Sequence, residues 1–205
     1  MAQDLKQAIQ REYLECVKNP AHFMKKYCKI QHPTKGKIKF NLYDFQEDML
    51  SDFTSNRYNI ILKSRQLGIS TLSAGYSLWM MLFNPDKNIL VLAKDKDTAK
   101  NLVTKVRVMY AGLPQWLKTQ VTEDNKLSLV FKNGSQIKAV AATAEAGRSE
   151  ALSLLIVDEA AFIDKIDSIW TAAQQTLATG GDCIALSTPN GVGNWFHQQW
   201  IGAVD

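Results

Sequence analysis

The run Lys63, Ser64, Arg65, Gln66, Leu67, Gly68, Ile69, Ser70 and Thr71 places a glycine, three hydroxyls and two cations in nine consecutive positions. That mixture suits phosphate binding. Backbone N–H groups and the start of a following helix hold the oxygens, Gly68 lets the backbone approach closely, and Ser70 can place its hydroxyl on Mg2+. The phosphate-loop pattern G-x-x-x-x-G-K-[ST] is met at Gly68 and Ser70, but Lys63 stands at the first glycine and Ile69 at the lysine. Ile69 cannot neutralise phosphate charge. Lys63 and Arg65 can, if the loop folds back over the β- and γ-phosphates; a tight strand-to-helix turn without a ligand is the plainer alternative.

Asp158 and Glu159 follow four apolar residues, Leu154 to Val157. A strand ending there would aim Asp158 at a metal ion and leave Glu159 to polarise an attacking water; a helix cap is the structural alternative. Gln46 lies upstream beside Tyr43 and Phe45. Its amide can pair with an adenine edge while a ring stacks on the base, or the aromatics can be ordinary core residues. Arg148 can stabilise charge on a transferring phosphoryl group or form a surface salt bridge. Ser187 and Thr188 can sense a γ-phosphate or cap the next helix. His22, His32 and His197 show no ligand-like grouping.

These residues need elements to hold them. Continuous apolar runs at 59–62, 88–93, 154–157 and 183–186 read as buried strands. Helical patterns at 2–18, 20–27, 44–53, 72–82, 97–110 and 166–177 surround them, with Asp44 and Asp97 as caps and a loop over 31–36. Residues 127–132 and 135–140 form a β-hairpin about a two-residue Asn133-Gly134 turn. Short apolar strands alternating with helices indicate a mainly parallel sheet covered on both faces, an α/β nucleotide-binding core. Residues 63–70, 158–159 and 187–190 then fall at the carboxyl ends of strands, where ligands of such sheets bind.

The 205 residues suit one domain with a substantial core, and 46% hydrophobic and 21% charged residues are ordinary for a globular protein. No apolar run is long enough for a membrane span, and the N-terminus lacks a signal-peptide core. Cys16, Cys28 and Cys183 form neither a disulfide framework nor a zinc pattern, which fits reduced thiols in a cytosolic protein. The net charge of +4 is mild. The basic stretch from Lys25 to Lys39 reads as a solvated arm or a nucleic-acid contact.

Taken together, YDFQEDML, KSRQLGIST, LVFKNGSQIKA, AGRSEALSLLIVDEAAFI and LSTPNGVGNWF resemble the large terminase subunit of tailed bacteriophages, over about Tyr43 to Trp200. The resemblance implies a P-loop NTPase core of the ASCE type and an ATPase that drives double-stranded DNA into proheads with ATP and Mg2+. On it, residues 63–71 match the Walker A loop, with Arg65 ahead of Lys63 as the replacement for the missing lysine. Gln46 matches the adenine-recognising glutamine. Asp158 matches the Walker B metal residue, with Ser70 also on the metal, and Glu159 the catalytic glutamate. Ser187-Thr188 matches the coupling motif, and Arg148 an arginine that can act on a neighbouring subunit's ATP. The implied partners are a portal protein, a small terminase subunit and further copies in a ring, in the host cell cytoplasm. Residues 1–40 are expected to form a helical, basic segment and 41–205 a truncated ATPase domain without the usual C-terminal nuclease. A nucleotide- or partner-binding fragment without turnover and a helicase-like translocase are the alternatives.

Overall fold

The computed structural model describes residues 2–143 and 151–204. Two helices, α1 (Ala2–Lys18) and α2 (Pro20–Tyr27), open the chain, the second capped by the Asn19 side chain on His22 N with Pro20 in its first turn. A two-stranded ribbon follows, β1 (Lys29–His32) with β2 (Gly36–Lys39), and then α3 (Asp44–Ser55). The core continues as β3 (Tyr58–Leu62), α4 (Ile69–Phe83), β4 (Asn88–Ala93), α5 (Lys96–Ala111), β5 (Val121–Asn125), β6 (Ser128–Phe131), β7 (Gln136–Ala141), β8 (Leu154–Asp158), α6 (Ile166–Leu177), β9 (Asp182–Ser187) and α7 (Trp195–Val204).

Strands β3 to β9 make one sheet in the order β3-β9-β8-β4-β7-β6-β5. The first five are mutually parallel, and β6 and β5 add an antiparallel flank. Alternation within the central strands builds two cores. Ile89, Val91, Leu154, Ile156, Ile184 and Leu186 face one side, with Phe23, Leu50, Leu72 and Leu102 from α2 to α5. Leu90, Leu92, Leu155, Val157, Cys183 and Ala185 face the other, under Ile169 and Leu177 of α6 and Phe196 of α7. Truncating one such buried aliphatic, Ile156→Ala for example, costs about 2–5 kcal/mol because the void is only partly refilled.

The mainly parallel, helix-flanked sheet is the one expected from the sequence, but several local readings need correction. β3 is an edge strand rather than a buried one: Ile61 is buried, while Tyr58 and Leu62 are exposed. Residues 31–36 are not a simple loop, because β1 and β2 pair across a turn at 33–35. Each of these strands carries one isoleucine amid polar residues, too weak an alternation to stand out. β5, with only Val121 even partly buried, escaped for the same reason.

The Asn133-Gly134 hairpin has a three-residue loop. Phe131 N donates to Ser135 O at 2.8 Å and Gly134 N to Phe131 O at 3.0 Å, so 132–134 lie outside the pairing. Only Gly134 has positive φ, +83°, whereas the two-residue type I′ turn needs positive φ at both central residues. The caps also shift: Tyr43 rather than Asp44 starts α3, and Asp95 rather than Asp97 starts α5, its side chain accepting from Thr98 N at 2.8 Å. Asp44 and Asp97 sit in the first turns, where the helix dipole favours acids.

Candidate nucleotide site

The loop after β3 is fixed from both sides. Lys63 N donates to Ser187 O at 3.0 Å, extending the β3–β9 pairing by one residue. Five residues on, Gly68 turns into α4 with φ 73° and ψ 10°, a left-handed conformation that strains other residues; Gln66, φ 65°, accepts it without being glycine. A side chain at Gly68 would also meet Gln46 Nε2 at 2.9 Å. Gln46 is 1% exposed, accepts from Tyr43 N at 3.1 Å and donates to Leu67 O at 2.9 Å. The glutamine therefore braces the phosphate loop against the start of α3. Tyr43 and Phe45 are not core residues: both are exposed and their rings stack, 5.6 Å apart and 8° from parallel.

Ile69 is 1% exposed and part of the core. An ammonium in this apolar setting would lose its hydration, a cost that isoleucine avoids. Lys63 reaches inward, its side chain 9% exposed, and donates to Glu159 Oε1 at 2.6 Å. Arg65 is exposed and forms no side-chain hydrogen bond or ion pair among the described residues.

β8 delivers both acids. Asp158 is 5% exposed at its last position, and burial pushes its carboxyl above the usual carboxylate range, opposed by a hydrogen bond from Ser70 and the charge of Lys63. Glu159 follows in a left-handed conformation, φ 53°, with its N–H donating to Asp158 Oδ1 at 3.0 Å. That bend turns the two carboxyls apart, one toward Ser70 and one toward Lys63. Burial raises the Glu159 carboxyl, but Lys63 and the Thr188 donors outweigh it and hold it low. Thr188 donates to Glu159 Oε2 from its backbone at 3.3 Å and its hydroxyl at 3.1 Å. Ser187 accepts from Ala161 N at 3.1 Å and donates to Thr188 O at 2.8 Å, tying the end of β9 to the turn after Glu159.

The structure thus gathers Lys63, Ser70, Asp158, Glu159, Ser187 and Thr188 at the carboxyl ends of β3, β8 and β9. Gln46 touches the same loop from outside, and Arg148 lies outside the described residues. One residue of this neighbourhood was missed from sequence. Lys105 of α5 is half-buried and interacts electrostatically with Asp158 and Lys63, and burial pushes its ammonium downward. Its signal was a lysine at 105 in the apolar helical stripe of Leu102 and Met109. Asp158 and Ser70 supply hard oxygen donors, the type Mg2+ takes, and a buried carboxyl whose charged form burial disfavours is one that a cation's charge would stabilise. Glu12, Cys16 and His22 also converge, but Lys26 and His22 already bond Glu12 and burial pushes the Cys16 thiol up to about 12. That cluster fastens α1 to α2.

Three solved structures share the fold. The HK97 bacteriophage large terminase superposes with a TM-score of 0.70 over 92% of this chain, at 19% identity. The large terminase ATPase domain of Thermus phage P74-26 gives 0.61 over 78% of this chain and 69% of its own, at 23% identity. The large terminase of a thermophilic bacteriophage, in complex with ADP, gives 0.63 over 80% of this chain and 43% of its own, at 16% identity. This chain spans 41% of the HK97 protein's length. The model of the N-terminal part of the T4-like-virus type terminase large subunit matches residues 60–205, and the chain belongs to that family.

Proposed function

We propose that this chain is the ATP-hydrolysing module of a DNA-packaging motor, coupling ATP turnover to translocation of double-stranded DNA into proheads. The observation that carries the reading is the convergence of Lys63, Asp158, Glu159 and Thr188 on one side of the phosphate loop. Residues 63–71 surround the phosphates with backbone N–H groups from the start of α4, and Arg65, uncommitted here, is the cation that replaces the missing lysine. Stacked Tyr43 and Phe45 offer a platform for the base. Gln46 keeps one N–H and one lone pair beyond the two bonds it makes here, enough to read an adenine edge. Asp158 and Ser70 would hold Mg2+, which screens phosphate charge when bound.

Glu159 orients water toward the γ-phosphorus and takes its proton. The bond to the β-phosphate oxygen breaks, and ADP and inorganic phosphate leave. Thr188 and Ser187 join that carboxylate to β9, so a change at the γ-phosphate reaches the turn at Ala161 through two hydrogen bonds. Arg148 offsets the negative charge on a neighbouring subunit's ATP, in a ring on a portal protein, with a small terminase subunit as a further partner. The host cell cytoplasm is the setting; among the described residues no helix is long and apolar enough to cross a membrane.

A second reading, nucleotide or partner binding without turnover, is favoured by one observation: both Glu159 oxygens are already engaged, by Lys63 and Thr188. Steady-state phosphate release from ATP with and without Mg2+ separates the two. Metal-dependent release is expected, and tight nucleotide binding with no release supports the second reading. Mixing Arg148→Ala with Asp158→Ala protein should restore turnover if Arg148 acts across subunits. No recovery in assembled mixtures would remove that role.

A further inference from the structure

The β1–β2 ribbon carries a pattern that local stability does not explain. Between Glu15 and Asp44 the chain has seven lysines and no acidic residue. Two of them are neutralised from outside the segment, Lys25 by Glu47 and Lys26 by Glu12, each at 2.8 Å. Lys29, Lys35, Lys37 and Lys39 are exposed and make no side-chain hydrogen bond or ion pair among the described residues.

The register concentrates their charge. Lys29 pairs directly with Lys39 and Gln31 with Lys37, so these four side chains share one face. Opposed residues in such a ribbon stand about 5 Å apart at Cβ, and like charges there repel. The other face carries Ile30, which packs on the core. His32 closes the turn, its Nδ1 accepting from Thr34 N and Lys35 N at 3.2 Å, and so presents Lys35 at the tip. The Lys29 stem lies 3.6 Å from the space a side chain at Gly112 would occupy, against the end of α5. Ile30 and Gln31 share a cavity of about 180 Å3 with Thr71 of the phosphate-loop helix and Lys105. The ribbon is therefore a short element packed beside the nucleotide site, with a polar face of unpaired cations turned to solvent.

We infer that the β1–β2 ribbon is a docking surface for the phosphate backbone of double-stranded DNA, with Lys29, Lys35, Lys37 and Lys39 as the contacts. Only a polyanion relieves four clustered ammonium groups at once, and lysine is a point charge that follows phosphates without reading bases. The inference rests on the motor reading for the choice of DNA over an acidic protein. It does not depend on catalysis.

The test is binding of a mixed-sequence 30-base-pair duplex to the full chain across salt concentrations, for wild type and two variants that each lose three charges. Lys35→Gln/Lys37→Gln/Lys39→Gln should reduce the slope of log affinity against log salt by about 2 to 3 and weaken binding equally for unrelated sequences. Lys126→Gln/Lys132→Gln/Lys138→Gln, exposed on β7 and around the β5–β6 flank, should leave the slope within about 0.5 of wild type. Single Lys37→Gln, expected to lower the slope by about 1, guards against a misfolded triple variant. Equal losses in both triples, an unchanged ribbon triple, or no duplex binding by wild type would each overturn the inference. Capture of an acidic protein by the ribbon with DNA binding unchanged would reassign it to a protein partner. ATP binding measured on the same preparations reports on the nucleotide site separately: retained ATP binding with failed DNA binding rejects the ribbon alone.

Discussion

Two groups of cations in this chain have opposite fates. At the candidate nucleotide site Lys63 is nearly buried and closes on Glu159 at 2.6 Å, and Lys105 lies within the field of Asp158. On the ribbon four lysines stand in water with no acid in their segment and two of them face each other across the strands. A buried cation without an acid loses several kcal/mol of hydration, so the site can hold lysine only where a carboxylate meets it. An exposed cation has no such constraint and can wait for a partner from outside. Arg65 is the exception at the site: it lies in the same loop as Lys63 yet stays exposed and makes no side-chain hydrogen bond or ion pair among the described residues.

The largest effect that bears on this contrast is expected at Asp158. Asp158→Asn should cut ATP turnover about 10^3-fold or more, the scale of several kcal/mol of lost charge stabilisation. The same change should raise the melting temperature at neutral pH. Because burial raises the folded carboxyl above its unfolded value, its favourable contribution is present at acid pH and lost as pH rises through the folded value. The stability gain of the variant should therefore shrink as pH falls toward 4, and a variant that melts lower at pH 7 contradicts the assigned burial.

Next in size, Arg65→Ala should weaken ATP binding about 10- to 100-fold, as expected for losing charge-assisted bonds to phosphate, with Lys63→Met weakening it less. Isothermal titration of both variants decides the ranking; a larger loss for Lys63→Met would transfer the phosphate role to the committed cation and erase the distinction drawn above. The smallest effect belongs to the N-terminal fastening. Lys26 and His22 hold the Glu12 carboxyl at about 2, below its ordinary 4.5, so its contribution is present above 4.5 and disappears as pH falls toward 2. Thermal melts of Glu12→Gln and wild type should differ at pH 6 and converge near pH 2, while DNA and ATP binding stay unchanged.

Much of the core was legible because its strands are continuous apolar runs. Leu154 to Val157 and Asn88 to Ala93 admit little but buried strands, and the end of the first of them places Asp158. The ribbon and β5 were not legible, since strands with a single apolar residue look like solvated chain. In the site, Asp158 and Glu159 were readable from sequence, but the ion pair between Glu159 and Lys63, 96 residues apart, arises from the β3-β9-β8 order and from the left-handed turn at Glu159. Gln46 reveals its bracing role only through the Gly68 backbone it packs against. Lys105 was hidden for a different reason: nothing in its local sequence connects it to Asp158, which comes from another element.

The most direct test of an ATP-hydrolysing site is Glu159→Gln, followed by phosphate release and ATP binding on the same protein. The side chain keeps its size and can still accept from Thr188, but it loses the negative charge that polarises water. Release should fall about 10^2- to 10^4-fold with ATP binding within a few-fold of wild type. Release undiminished in Glu159→Gln would contradict the assignment of this carboxylate and with it the catalytic reading of the Lys63–Glu159–Thr188 cluster.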